Sequence, residues 1–140
     1  MTPGFVAAIL EAPATAVVTR ILLTFMFWGS GLGLLANFGE SVEIIASLGF
    51  SQPALVVIAT AATQLVGSAL VITGRHVWLG AGALGVFTFL TILLVHNFWA
   101  MPEGPQKVNS FHTATEHVSM IGALILVSIF MHQRQNRKFS

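Results

Sequence analysis

From Pro53 to Thr73 the chain carries no charged side chain, and after a tight Gly74-Arg75-His76 connection a second uncharged run follows over 77–95. Each run reaches the roughly 20 residues that an α-helix needs to cross a hydrocarbon core. A connection that short makes the two helices antiparallel neighbours, a helical hairpin. Composition leaves no alternative class. Of the 140 residues 55% are hydrophobic and 8% charged, whereas a soluble domain is about 25% charged. The mean hydropathy is +0.84. The chain reads as an integral membrane protein whose first partner is the lipid bilayer.

Two further runs complete the pattern. The first covers 17–36, with Arg20 one turn inside its start. The last is uncharged only over 118–131, about 21 Å of helix against a core of about 30 Å. To span, it must recruit the preceding turn, so a fourth helix is expected over about 112–132, with His112, Glu116 and His117 in the outer part of the membrane. The expected fold is all-α, an integral membrane four-helix bundle running up-down-up-down. Residues 17–132 form its domain, 1–16 an N-terminal interfacial segment and 133–140 a basic cytoplasmic tail. No signal peptide is expected, because 1–16 lacks a basic start.

Orientation follows from the Lys and Arg count. With both termini inside, the inner side holds Arg20, Arg75, Arg134, Arg137 and Lys138, and the outer side only Lys107. The positive-inside rule therefore favours N-in, C-in. The connections 37–52 and 96–111 then face outward with Glu40, Glu43 and Glu103, and 41–48 has the apolar spacing of a short surface helix ended by Gly49. Small residues suit close packing of the spans: the Gly29 and Gly33 pair in the first, Ala59, Thr63 and Gly67 in the second, Ala81 and Gly85 in the third.

A net charge of +1 offers no basic stripe for phosphates, so nucleic acid is excluded as a main partner. Zero cysteines exclude disulfide chemistry, iron–sulfur clusters and thiol catalysis; any redox role must run through a bound cofactor or a partner protein. Two groups of residues remain as candidates. Thr60, Gln64 and Ser68 recur at four-residue spacing and make a polar stripe within the second span, either an interhelical hydrogen-bond clamp or the wall of a ligand cavity. At the outer end stand His96 and Trp99, then His112, Glu116 and His117. The spacing matches neither HExxH nor Glu-x-x-His, so no metal is expected. The other readings are a carboxylate held by imidazoles to fasten the third and fourth helices, and a cluster that passes protons to a quinone near the headgroups. Trp99 also fits an aromatic belt. No self-contained catalytic motif is present.

Several stretches in this order resemble the DoxX-like membrane proteins. They are RILLTFMFWGSGLGLL from Arg20 with its Ser-Gly-x-Gly, the Ser-Leu-Gly-x-x-x-Pro lead into the second helix, VHNFW with its His-x-x-Trp, and EHVSMIGALIL. The resemblance covers about 17–130. It implies a four-helix protein of the cell (inner) membrane, some of whose relatives are subunits of quinone-linked or thiol-linked redox systems. This chain departs from that family's pattern at three places: Leu34 where many relatives have Lys, Gln64 where many have Glu, and Glu116-His117 where a Lys-Asn pair is usual. An intramembrane ionic network rewired to neutrality is one reading, since loss of the acid at 64 removes the need for a base. The expected function is a membrane subunit of a redox system without independent catalysis, with quinone as candidate cofactor and a redox partner protein or a second copy as candidate partner. The alternative is a non-catalytic scaffold for a peripheral partner.

Overall fold

Proline opens three of the helices, at Pro13, Pro53 and Pro105. Its missing N–H costs nothing in the first turn, and its fixed φ suits a helix start. In a computed structural model that describes residues 2–137, the elements are α1 (Gly4–Glu11), α2 (Pro13–Leu23), α3 (Phe25–Ala36), α4 (Phe38–Ser47), α5 (Pro53–Thr73), α6 (Val77–Leu94), a 3-10 turn (Phe98–Ala100) and α7 (Pro105–Asn136). The described residues are all-helical, without a strand. Lys138, counted above with the inner basic residues, lies outside them, as do the last residues of the expected tail.

Three helical segments are long and apolar enough to cross a membrane: Pro53–Thr73, Val77–Ala100 and Pro105–Asn136. A fourth is present if α1 and α2, bent by 66° at Ala12, count as one. The bend follows from Pro13, which drives Ala12 into an extended conformation at ψ 132.

The run 17–36 is not one continuous helix. It is interrupted at Thr24, whose φ of -93 and ψ of 3 leave the helical region. The Thr24 hydroxyl donates to the Arg20 carbonyl at 2.8 Å, the same oxygen that its own N–H reaches at 3.2 Å. A threonine that shares its i−4 carbonyl in this way bends or breaks a helix. At the other end of the chain α7 begins seven residues before 112 and continues to Asn136, through residues expected in the tail. Gly104-Pro105 sets that start. Polar residues can be helical wherever their backbone continues the ladder, so apolar length bounds a span but not a helix. In the first turn of α7, Lys107 pairs with Glu103 of the preceding loop at 2.5 Å.

Helix α5 is the centre of the packing, touching α2, α3, α4 and α6, while α7 lies along α6. The α5–α6 hairpin closes at Gly67 and Gly80. A Cβ on Gly80 would stand 2.6 Å from the Gly67 carbonyl oxygen, and one on Gly67 would stand 2.8 Å from Leu84 Cγ. Gly31 brings α3 against α5 in the same manner, 3.0 Å from Leu65 Cγ. Gly29 and Gly33, by contrast, face open space; the helix contact runs through the glycine between them, because only one face of α3 meets α5. Phe27, Val71, Val77, Ala81, Leu84 and Leu124 form the buried core, with Phe87, Met120, Val127 and Met131 against it. Large apolar side chains such as Leu55, Val66, Val86, Phe89 and Leu126 are more than half exposed on the outside, a surface that only lipid can cover at low cost.

Candidate functional site

Residues three and four apart on α5 from Val57 turn one face inward, so Val57, Ala61, Gln64, Ser68 and Val71 are buried together. Gln64 thus sits inside the protein at 5% exposure and Ser68 at 1%. Helix α3 approaches this point closely through Gly31, where a Cβ would meet Gln64 Cβ at 3.3 Å. Helix α6 supplies Thr88 and Thr91. Their hydroxyls are already engaged, donating to the carbonyls of Leu84 at 2.7 Å and Thr88 at 2.8 Å. At the end of α6 the N–H groups of Val95 and His96 both reach the Thr91 carbonyl, at 2.9 and 3.0 Å. This widened last turn, with an i→i−5 bond at His96, sets His96 beside His117 of α7, ring centroids 5.3 Å apart and planes at 76°.

These elements line an open cavity of about 270 Å³. Met26, Phe27, Ser30 and Leu34 of α3, Thr60 and Gln64 of α5, Phe87, Thr88, Thr91 and Val95 of α6 with His96, and His117 of α7 line it. The volume lies near the lower end of small-molecule sites, about 300 to 1,000 Å³. It suits a single substituted ring better than a dinucleotide or a haem.

Three buried polar atoms lack a hydrogen bond of good geometry: Gln64 Oε1, Ser68 Oγ and His117 Nδ1, the His117 ring having only the Thr113 backbone nearby. Each such atom costs about 1–3 kcal/mol unless something satisfies it, and native proteins hold few of them. Two belong to residues that line the cavity; Ser68 follows Gln64 by one turn on the same face. An amide, an imidazole and a hydroxyl can between them donate to a carbonyl oxygen and accept from a hydroxyl. These atoms and the aromatic walls therefore fit a flat ring bearing oxygen substituents.

Of the residues singled out in the sequence, His96, His117, Thr60 and Gln64 come together here, with Ser68 adjoining. Trp99 does not. It is 55% exposed and packs edge-on against Phe98 at 5.2 Å. His112 is exposed beside Phe111, and Glu116 is exposed without a hydrogen bond or ion pair among the described residues. The interaction of Glu116 with the neighbouring His117 is electrostatic only, through space. Ser110, Ala114 and Leu124 define the buried face of α7; His117 lies near that stripe, whereas His112 and Glu116 share the opposite face. Among the described residues no three His, Cys, Asp or Glu side chains gather as a metal set would.

Sequence reading missed Ser30, Thr88 and Thr91 as cavity residues. The two threonines were visible as polar breaks in an apolar helix, and Ser30 stood between glycines read only as packing. The positions at which the chain departs from the family pattern sharpen the picture. Leu34, Gln64 and His117 all line this cavity; Glu116 does not.

The family model DoxX matches residues 15–97, more than half of the chain. That match takes in α2 to α6 and His96. Inner membrane protein YphA of Escherichia coli (strain K12) is 26% identical over 120 residues, which cover 84% of this chain and 83% of the relative. No solved structure matches. With its apolar helices and a DoxX match over most of them, the chain is a multi-pass membrane protein and belongs to the DoxX family.

Proposed function

We propose that this protein is a membrane subunit of a redox system that holds a quinone ring in the cavity between α3, α5, α6 and α7, and that it has no independent catalysis. The observation that carries the reading is the set of buried atoms without a good hydrogen bond at Gln64 and His117 on a ring-sized cavity with aromatic walls. A quinone supplies two-electron, two-proton chemistry. The chain, lacking cysteine, supplies no electrons, so these come from a partner protein.

The roles of the chain's own groups follow from their chemistry. The Gln64 amide orients an oxygen substituent without titrating. His117 Nδ1 donates to or accepts from the second oxygen, and its edge-to-face neighbour His96 stands at the end of α6, the route by which a proton reaches the loop. Phe27 and Phe87 exclude water from the ring faces. The protein that carries this site is a four-span bundle of the inner membrane, up-down-up-down with both termini in the cytoplasm; the positive-inside count and the inner-membrane relative support that placement.

The test is organic extraction of protein purified from native membranes, with quinone measured by mass spectrometry. A quinone present at near one per chain and reduced about tenfold by Gln64→Leu or His117→Ala is the expected result. No quinone in the wild type, or quinone held by both variants at the wild-type level, removes the quinone reading. A partner that co-purifies undiminished with both variants would then favour the scaffold.

A further inference from the structure

At the opposite end of the molecule a guanidinium is buried without an acid. Arg20 of α2 is 9% exposed. Its Nε donates to the Ala16 carbonyl at 3.0 Å, and Nη1 has only the Met131 sulfur at 3.9 Å. The same Nη1 lies hard against Gly74, in the left-handed conformation at φ 74, so closely that no Cβ fits there. Nη2 has no partner among the described residues. A guanidinium presents five N–H donors and no acceptor, so most of its hydrogen-bonding capacity is unused at a site where an unpaired charge is costly.

A second guanidinium faces it. Arg20 and Arg134 of α7 line one crevice of about 290 Å³, together with Pro13, Val17, Thr73, Gly74, Met131 and Gln135. Two like charges in one crevice repel each other. Glu11 lines the adjoining crevice with Arg134 and Arg137, but it forms no ion pair with Arg20 or Arg134.

We propose that this crevice binds the phosphate of an anionic phospholipid headgroup, with Arg20 and Arg134 as its charge-assisted donors. Guanidinium forks match phosphate oxygens in geometry and charge. The position favours a lipid over a free ion. The crevice opens where α2, the α5–α6 turn and the C-terminal part of α7 meet. Arg75, His76 and His132 line the neighbouring surface, a basic rim at headgroup level. Beyond the 66° bend, α1 exposes Phe5, Ile9 and Leu10, which suits acyl chains alongside. A zwitterionic headgroup fits less well, because its ammonium would face two guanidiniums.

Native mass spectrometry of the full chain released from nanodiscs of equal phosphatidylglycerol and phosphatidylcholine tests this, beside thermal shifts in detergent with dihexanoyl phosphatidylglycerol or inorganic phosphate. One retained phosphatidylglycerol, a Tm rise with that lipid, and about a tenfold loss of retention in Arg134→Gln are expected. Arg134 is half-exposed, so this variant keeps the fold; Arg20→Lys is the second variant and should lose retention while remaining folded. Equal retention of both lipids, retention unchanged in Arg134→Gln, or protection by inorganic phosphate matching that by the lipid would overturn the proposal. So would an Arg20→Lys protein that retains lipid like the wild type, since Arg20 would then serve only the end of α5.

Discussion

Gln64 shows how much a single atom pair decides. At 5% exposure an amide can stay neutral, whereas a carboxylate of nearly the same shape needs a base beside it. Leu34, across the same cavity, offers none. Gln64→Glu is therefore expected to destabilise the protein in detergent by about 3 kcal/mol, read as a lower Tm. The double variant Gln64→Glu with Leu34→Lys should recover part of the loss, because both side chains line one cavity. An unchanged Tm in the single variant would remove the idea of a cavity rewired to neutrality. The sequence raised that idea from positions 34, 64 and 116. Only the fold replaced 116 by its neighbour His117, because adjacent residues on a helix point about 100° apart and nothing in the local sequence says which of them meets α6.

At the scale of elements, the two inner helices were the most legible. The uncharged runs bounded by Pro53 and by Gly74-Arg75-His76 are α5 and α6, since Pro53 marks the start of α5 and Gly74 its stop, immediately before α6. The helix crossing was less so. Gly29 and Gly33 have the spacing of a packing motif, yet the close contacts fall at Gly31, Gly67 and Gly80. Spacing identifies a small-residue face; which face meets a neighbour depends on the rotation of the whole helix. Gly80→Ala should thus cost about 2 kcal/mol, the penalty of forcing volume into a packed contact, because the backbone of Gly67 cannot yield. Gly29→Ala should leave Tm unchanged or raise it slightly through helix propensity. Equal losses for the two substitutions in thermal melts would contradict the packing described. The break at Thr24 and the length of α7 were likewise hidden, as both turn on backbone hydrogen bonding and not on apolar length.

For the whole molecule, the two candidate sites stand apart. The cavity with its two imidazoles lies toward one end, and the arginine crevice toward the other. Topology is the prediction that belongs here, and the absence of cysteine makes it simple to check. With N-in, C-in, a membrane-impermeant maleimide added to intact cells should label Glu103→Cys, and should label Arg75→Cys only after permeabilisation. The reverse pattern would invert the molecule and move the arginine crevice to the outer leaflet. What the sequence determined by itself is the solvent: with 8% of its residues charged, this chain has no surface to offer water, and its long apolar runs can satisfy their backbone only as helices in lipid. The tertiary structure decided which few polar atoms meet. Gln64, His96 and His117 come from three separate elements, as do Arg20, Gly74 and Arg134, and contacts between such distant positions depend on how helices rotate and cross, which no local pattern encodes.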